Sequence, residues 1–154
     1  MKATSYYLMM SALYDGRKGD RPPVGNPTSI ACHDLMDACG VSFPEAHLDA
    51  NAMAELALAG HEILGFDSVM PEYSVDQEAA ALGCEVDWGN RDRMPDCKGF
   101  PHDDFSDVEI PQDFLEKPSM RVVLDALSIL RRHVGGKAAI IGKAMGPWTL
   151  SYHM

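Results

Sequence analysis

The chain has 154 residues, 46% of them hydrophobic, which is the length of one ordinary domain with enough apolar material for a core. Its 23 acidic against 13 basic side chains give a formal charge of −10, which repels phosphate backbones and anionic membrane surfaces and argues against a nucleic-acid partner. The amino terminus, MKATSYYLMMSALYDGRKGDRPP, is too polar for a signal peptide or a membrane span, so the sequence reads as cytoplasmic and not membrane-bound.

Residues Tyr6 to Leu13 have the pattern of a short opening helix, with Thr4 or Ser5 as cap and Gly16 as terminator. After the polar turn GRKGDRPP, Val24 to Ile30 reads as an extended segment, and CHDLMDACG as a helix closed by Gly40. The clearest helix is NAMAELALAGHEILG: Met53, Leu56, Ala57, Gly60, Ile63 and Leu64 recur at helical spacing, Asp49 or Asn51 can accept from its free amides, and Gly65 stops it. FDSVMPEY follows as a short strand, then Asp76 as the cap of QEAAALG, then the alternating CEVDW as another short strand.

From Gly89 to Lys117 the pattern dissolves into proline, glycine and aspartate, the composition of a long functional or covering loop. Order resumes at Ser119, read as the cap of a helix with the apolar stripe Val123, Ala126, Leu127, Leu130 and Val134; Arg131, Arg132 and His133 complement the dipole at its end. AAIIG then has the continuous apolar look of a parallel strand covered on both faces. Strands alternating with helices predict an α/β fold with parallel pairing and right-handed crossovers. Three such strands close no barrel, and a (β/α)₈ barrel takes about 250 residues.

The four cysteines show no C-x-x-C spacing and read as reduced thiols. Cys32 and Cys39 share a helical face and read as small core residues rather than a metal or redox pair. His102, Asp103, Asp104 and Asp107 offer oxygen-rich cation chemistry, against the plainer reading of a solvated acidic loop. His47 and His61 read as histidines satisfied by local hydrogen bonds.

Four stretches in order, RPPVGNPTS, FPEAHLDANAMAELALAGHEILGFDSV, EAAALGCEVDWG and GPWTL, resemble the amino-terminal half of the uroporphyrinogen decarboxylase superfamily. The second is most similar to its methylcobamide:coenzyme M methyltransferase branch. The resemblance implies that residues 1–154 are part of a TIM (β/α)₈ barrel, an amino-terminal helix plus about the first three strand-helix units. Residues 1–20 would be a helical extension and 89–118 a long irregular loop. GPWTLSYHM would be the exit of the third strand and the first turn of the next helix, so the chain reads as cut there, with edges and apolar faces exposed to self-association.

Decarboxylases of the superfamily carry arginines after the first strand for their substrate's carboxylates; here that place reads PVGNPTSIACHDLMD, without arginine. The tyrosine they place after PWTL is replaced by His153, with Tyr152 one position away. Methyl transfer is therefore the better reading: a methyl group passes from a methylated corrinoid, carried on a partner protein, to a small thiol such as coenzyme M. The resemblance also implies zinc, which converts the thiol to a thiolate at neutral pH. The family holds it on a His-x-Cys pair and a later Cys; no His-x-Cys occurs here, so this chain contributes no metal ligand and no catalytic residue is carried over. The alternatives are a decarboxylase-like enzyme with another substrate, and a small α/β binding protein without catalysis.

Barrel sites lie at the carboxyl ends of the strands, which nominates Asn26, Thr28, Glu72, Tyr73, Met145 and His153 as substrate-facing residues. Each has a plainer reading. Glu72 either orients a polar group or metal ligand or is a solvated loop carboxylate, and Tyr73 either lines the mouth or covers the core edge. Asn26 and Thr28 could simply build a turn and a cap, and His153 could be a surface histidine.

Overall fold

The computed structural model describes residues 4–16, 19–26, 31–99 and 104–154. In chain order these form α1 (Ser5–Met10) with a π-helical turn at Ser11–Asp15, α2 (His33–Cys39), α3 (Glu45–Leu48), α4 (Ala50–Glu62), β1 (Ser68–Val69), α5 (Gln77–Ala81), β2 (Val86–Asp87), β3 (Asp96–Cys97), 3₁₀ turns at Phe105–Asp107 and Phe114–Glu116, α6 (Pro118–Val134), β4 (Ala139–Ile140) and α7 (Pro147–Tyr152). It is a mixed α/β arrangement in which short strands are framed by helices.

β1 and β4 pair in parallel, Ser68 opposite Ala139 and Val69 opposite Ile140. Of the expected first strand, Val24 to Ile30, the described residues 24–26 are not assigned as a strand but lie against β1: Asp67 N donates to Val24 O (2.7 Å) and Asn26 N to Ser68 Oγ (2.8 Å). Residues 27–30, including Thr28, lie outside the described residues. Among the described residues the parallel sheet is the pair β1–β4, with residues 24–26 hydrogen-bonded alongside β1.

Helix α4 starts where Asp49 accepts from Asn51 N and Ala52 N, both at 2.9 Å, which settles Asp49 as its cap. Its face of Met53, Leu56, Ala57 and Gly60 is buried, and it packs on α6 through Val123, Ala126, Leu130 and Val134. Alanines on both helices let the backbones approach closely, and Leu35 and Met36 of α2 complete this core above Val69.

Four local expectations change. Ser119 does not cap α6; Pro118 takes the first helical position, where its missing N–H costs nothing, and Ser119 Oγ donates instead to Gln77 O (2.8 Å). Asp76 makes no capping bond to α5, because its carboxylate is held by other side chains. The stretch 89–118 is not irregular throughout: β3 lies inside it, pairing antiparallel with β2 so that Val86 faces Cys97 and Asp87 faces Asp96. CEVDW thus belongs to a hairpin, not to the parallel set. Cys32 is exposed at the start of α2 rather than buried in the core.

At the amino ends of the parallel strands, Arg21 makes a bidentate pair with the buried Asp67 (2.6 and 2.7 Å), and Val24 N donates to the same carboxylate (2.8 Å). Tyr6 N donates to Lys137 O (2.8 Å), fixing α1 at that same end. The opposite end is left for a site.

Candidate functional site

Beyond β1 the chain continues through residues 70–74, all buried, and beyond β4 through residues 141–145. Lys143 joins the two exits: its ammonium donates to Glu72 O (3.1 Å) and Ser74 O (2.9 Å) and stands 3.8 Å from Glu72 Oε1. Glu78, on α5, accepts from Met145 N through Oε1 (2.9 Å), and its carboxyl also hydrogen-bonds with that of Glu72. Two carboxyl groups and one ammonium are thus gathered under the strand ends.

Glu72 is 2% exposed, so the solvated-loop reading fails. Burial pushes its carboxyl up to about 8; Lys143 opposes the shift, and the neighbouring Glu78 adds to it. At neutral pH Glu72 is largely a protonated acid, able to hold or release one proton at this end of the sheet. Tyr73 is buried edge-on to Phe43 (5.5 Å), and burial drives its hydroxyl above the ordinary tyrosine range. Asn26 is buried beside β1, and Met145 is half-buried with its backbone bound to Glu78.

His153 is not a surface histidine. Its Nδ1 lies 3.1 Å from Asp76 Oδ1, with 16% of its side chain exposed. Cys97 Sγ donates to the same oxygen (3.5 Å), while Ser74 Oγ donates to the other, Asp76 Oδ2 (3.1 Å). The donor atoms of Asp76, Cys97 and His153 all lie within 4.8 Å of one another. Carboxylate, thiol and imidazole are together a donor set for a borderline cation such as zinc. Burial, and then the charge of Asp76, push the Cys97 thiol up to about 12; burial likewise raises the neighbouring Cys84.

His47, expected to be locally satisfied, is fully buried, stacks on Phe43 (centroids 4.3 Å apart, 15° between planes), and neither ring nitrogen has a hydrogen-bond partner among the described residues. Burial, aided by Lys143, lowers it to about 4, so it is neutral at pH 7. His61 does make its local bond, from Nδ1 to Phe66 O. His102 and Asp103 lie outside the described residues, and Asp104 is engaged by Ser106.

The sequence reading missed Lys143, Glu78, Asp76 and Cys97 as site residues. Lys143 stands two positions before Met145 on the same strand exit, so the rule that nominated Met145 would have found it. Cys97 carried no such signal, because only the hairpin pairing brings it back over α5.

Residues 7–154 match the model of the uroporphyrinogen decarboxylase (URO-D) family. The chain is 35% identical over 141 residues to the methylcobamide:CoM methyltransferase MtaA of Methanosarcina barkeri, covering 91% of this chain and 42% of that protein. It is 34% identical over 145 residues to a methylated-thiol–coenzyme M methyltransferase of Methanosarcina mazei, covering 94% of this chain and 39% of the relative. A solved methyltransferase from Methanosarcina mazei superposes with a TM-score of 0.89 at 35% identity, over 99% of this chain and 45% of that one. The chain spans about two fifths of the length of the curated relatives it matches.

Proposed function

The chain belongs to the uroporphyrinogen decarboxylase (URO-D) family, and from that premise we propose that it is part of a corrinoid-dependent methyltransferase, moving a methyl group from a methylated corrinoid protein to a small thiol such as coenzyme M. The observation that carries the reading is the superposition on a methyltransferase over 99% of the chain at 35% identity. In this reading the chain is the amino-terminal half of a cytoplasmic TIM barrel, residues 22–26, β1 and β4 are consecutive staves, and their carboxyl ends face the substrates.

The reaction balances simply. The thiol loses its proton, its sulfur forms a bond to the methyl carbon, the cobalt–carbon bond breaks, and the electron pair stays with the corrinoid. Zinc, when bound, would supply a thiolate at neutral pH. By the resemblance, its ligands are a His-x-Cys pair and a later Cys. This sequence has no His-x-Cys, and Asp76, Cys97 and His153 are a different set. The chain's own contribution is the Glu72–Glu78–Lys143 group. That group ties the exits of β1 and β4 together, through Lys143 to Glu72 O and Ser74 O and through Glu78 to Met145 N, and so sets the shape of the mouth; the proton the thiol gives up passes to solvent.

A decarboxylase reading is weaker on a specific ground. The arginine nearest the first parallel segment, Arg21, is committed to the buried Asp67 at the opposite end of the strands. It leaves the described part of that segment without a cation for a polycarboxylate.

The test is a chimera in which these 154 residues replace the matched segment of the Methanosarcina mazei methyltransferase. Incubated with methylcobalamin and coenzyme M, it should consume free thiol as the corrinoid loses its methyl group. A folded chimera that leaves both unchanged, beside an active parent, would overturn the reading.

A further inference from the structure

Asp76, Cys97 and His153 come from three separate places: the turn before α5, strand β3 and the residue after α7. Their donor atoms converge on one carboxylate oxygen. Asp76 Oδ1 has Cys97 Sγ at 3.5 Å and His153 Nδ1 at 3.1 Å, while Oδ2 is held away from them by Ser74 Oγ at 3.1 Å. In a tetrahedral zinc site, bonds of about 2.0 Å to oxygen or nitrogen and 2.3 Å to sulfur put neighbouring donors about 3.3–3.7 Å apart. The Asp76–Cys97 separation of 3.5 Å lies within that range and the Asp76–His153 separation of 3.1 Å just below it, while the 4.8 Å limit on the Cys97–His153 pair asks for a side-chain movement of at most about 1.5 Å.

The surroundings suit a cation. Asp76 is completely buried and oriented by a hydroxyl, the kind of support that fixes metal-binding carboxylates. Beside the cluster is a cavity of about 230 Å³ lined by Asp96, Cys97, Gly99, Tyr152 and His153, which leaves room for a fourth ligand. Carboxylate, thiolate and neutral imidazole sum to two negative charges, matching a dication.

We propose that Asp76, Cys97 and His153 bind one divalent cation of borderline softness, of the Zn²⁺ type, with its fourth position open to the adjoining cavity. On binding, the Cys97 thiol releases its proton to solvent as the metal–sulfur bond forms. His153 adopts the tautomer protonated on Nε2, freeing Nδ1 for the metal, and Asp76 exchanges two hydrogen bonds for one coordinate bond. The site is separate from any His-x-Cys zinc and does not depend on the methyl-transfer reading, because its test reads metal binding directly.

The experiment is titration of the metal-free chain with Co²⁺, followed by displacement with Zn²⁺. One equivalent should raise a near-ultraviolet thiolate-to-cobalt charge-transfer band, abolished in Cys97→Ser and retained in Cys84→Ser, and Zn²⁺ should raise the melting temperature of the wild-type chain only. Asp76→Asn should weaken affinity by at least about tenfold. Metal-free melting curves establish that each variant folds. His153→Gln, which leaves the hairpin untouched, removes a ligand and keeps the test decisive if Cys97→Ser does not fold. Absence of the band in folded wild type, or its persistence in both Cys97→Ser and His153→Gln, would overturn the proposal and leave the cluster a hydrogen-bond network.

Discussion

Lys143 Nζ stands 3.8 Å from Glu72 Oε1, yet its close hydrogen bonds go to the main-chain oxygens of Glu72 and Ser74. The ammonium therefore fastens the exits of β1 and β4 together before it neutralises the acid beside it. This explains how a carboxyl so near a cation can still be raised to about 8: desolvation outweighs an attraction that is partly spent elsewhere. A Lys143→Met chain should show the Glu72 carboxyl titrating above pH 8, followed by its infrared carbonyl band, and a lower melting temperature. An unchanged midpoint would mean that the ammonium does not act on Glu72.

The same carboxyl makes stability depend on pH. Its folded pKa, about 8, lies above the ordinary 4.5, so between these values the folded chain holds a proton that the unfolded chain has lost. Stability is fully present below about pH 4.5 as far as this group is concerned and declines as pH rises through 8. The full effect is at most on the order of 5 kcal/mol. Glu72→Gln should flatten that limb and be the more stable protein at pH 8.5, as denaturant melts at several pH values would reveal. Parallel pH profiles for the two proteins would sink the assignment.

At the other end of the strands, the Arg21 guanidinium holds the Asp67 carboxyl well below the usual carboxylate range. The sign is opposite to that of Glu72: the contribution is present above the unfolded pKa near 4 and lost as pH falls below it. Asp67→Asn removes one charge from a bidentate pair and weakens the anchor of residues 21–24 against β1. A melting temperature lower by about 5–10 °C at pH 7, with the difference shrinking toward pH 2, is expected. A uniform deficit at every pH would point to packing instead of charge.

The β2–β3 hairpin depends on a glycine. Gly89 has φ of +74°, and a Cβ there would lie 2.0 Å from Arg93 O and 2.9 Å from Met94 O, both backbone atoms that cannot step aside. Gly89→Ala should loosen the hairpin by at least about 1 kcal/mol and expose Cys97, seen as faster labelling of its thiol by an aromatic disulfide reagent. Wild-type labelling rates would show that the hairpin tolerates the methyl group.

How far the sequence announces this structure depends on how local each determinant is. Asp49 capping α4, Gly16 and Gly40 turning left-handed at helix ends, and the buried stripe of α6 all follow from neighbours a few residues apart. Ser119 and Asp76 defeat the same rules, because partners 42 and 21 residues away, Gln77 and Cys97, claim their side chains. The site divides in the same way. Glu72 was visible from its place at a strand exit, but its protonation comes from burial under elements that no local pattern reports. His153 met Asp76 only through the fold.

His47 offers the sharpest check on that buried environment. A fully enclosed imidazole without a hydrogen-bond partner among the described residues, lowered to about 4, stays neutral in the folded chain while the unfolded chain takes up a proton near pH 6.5. The unfolded state then binds more protons across this window, so stability is complete above about pH 6.5 and is lost as pH falls toward 4, by at most about 3 kcal/mol. His47→Phe keeps the ring against Phe43, and the adjoining cavity of about 270 Å³ can take the extra volume. The variant should lose this acid limb and match or exceed the wild type at pH 5. If both proteins weaken equally between pH 6.5 and 4, the acid sensitivity belongs to the carboxylates, and His47 is solvated through a path that the packing conceals.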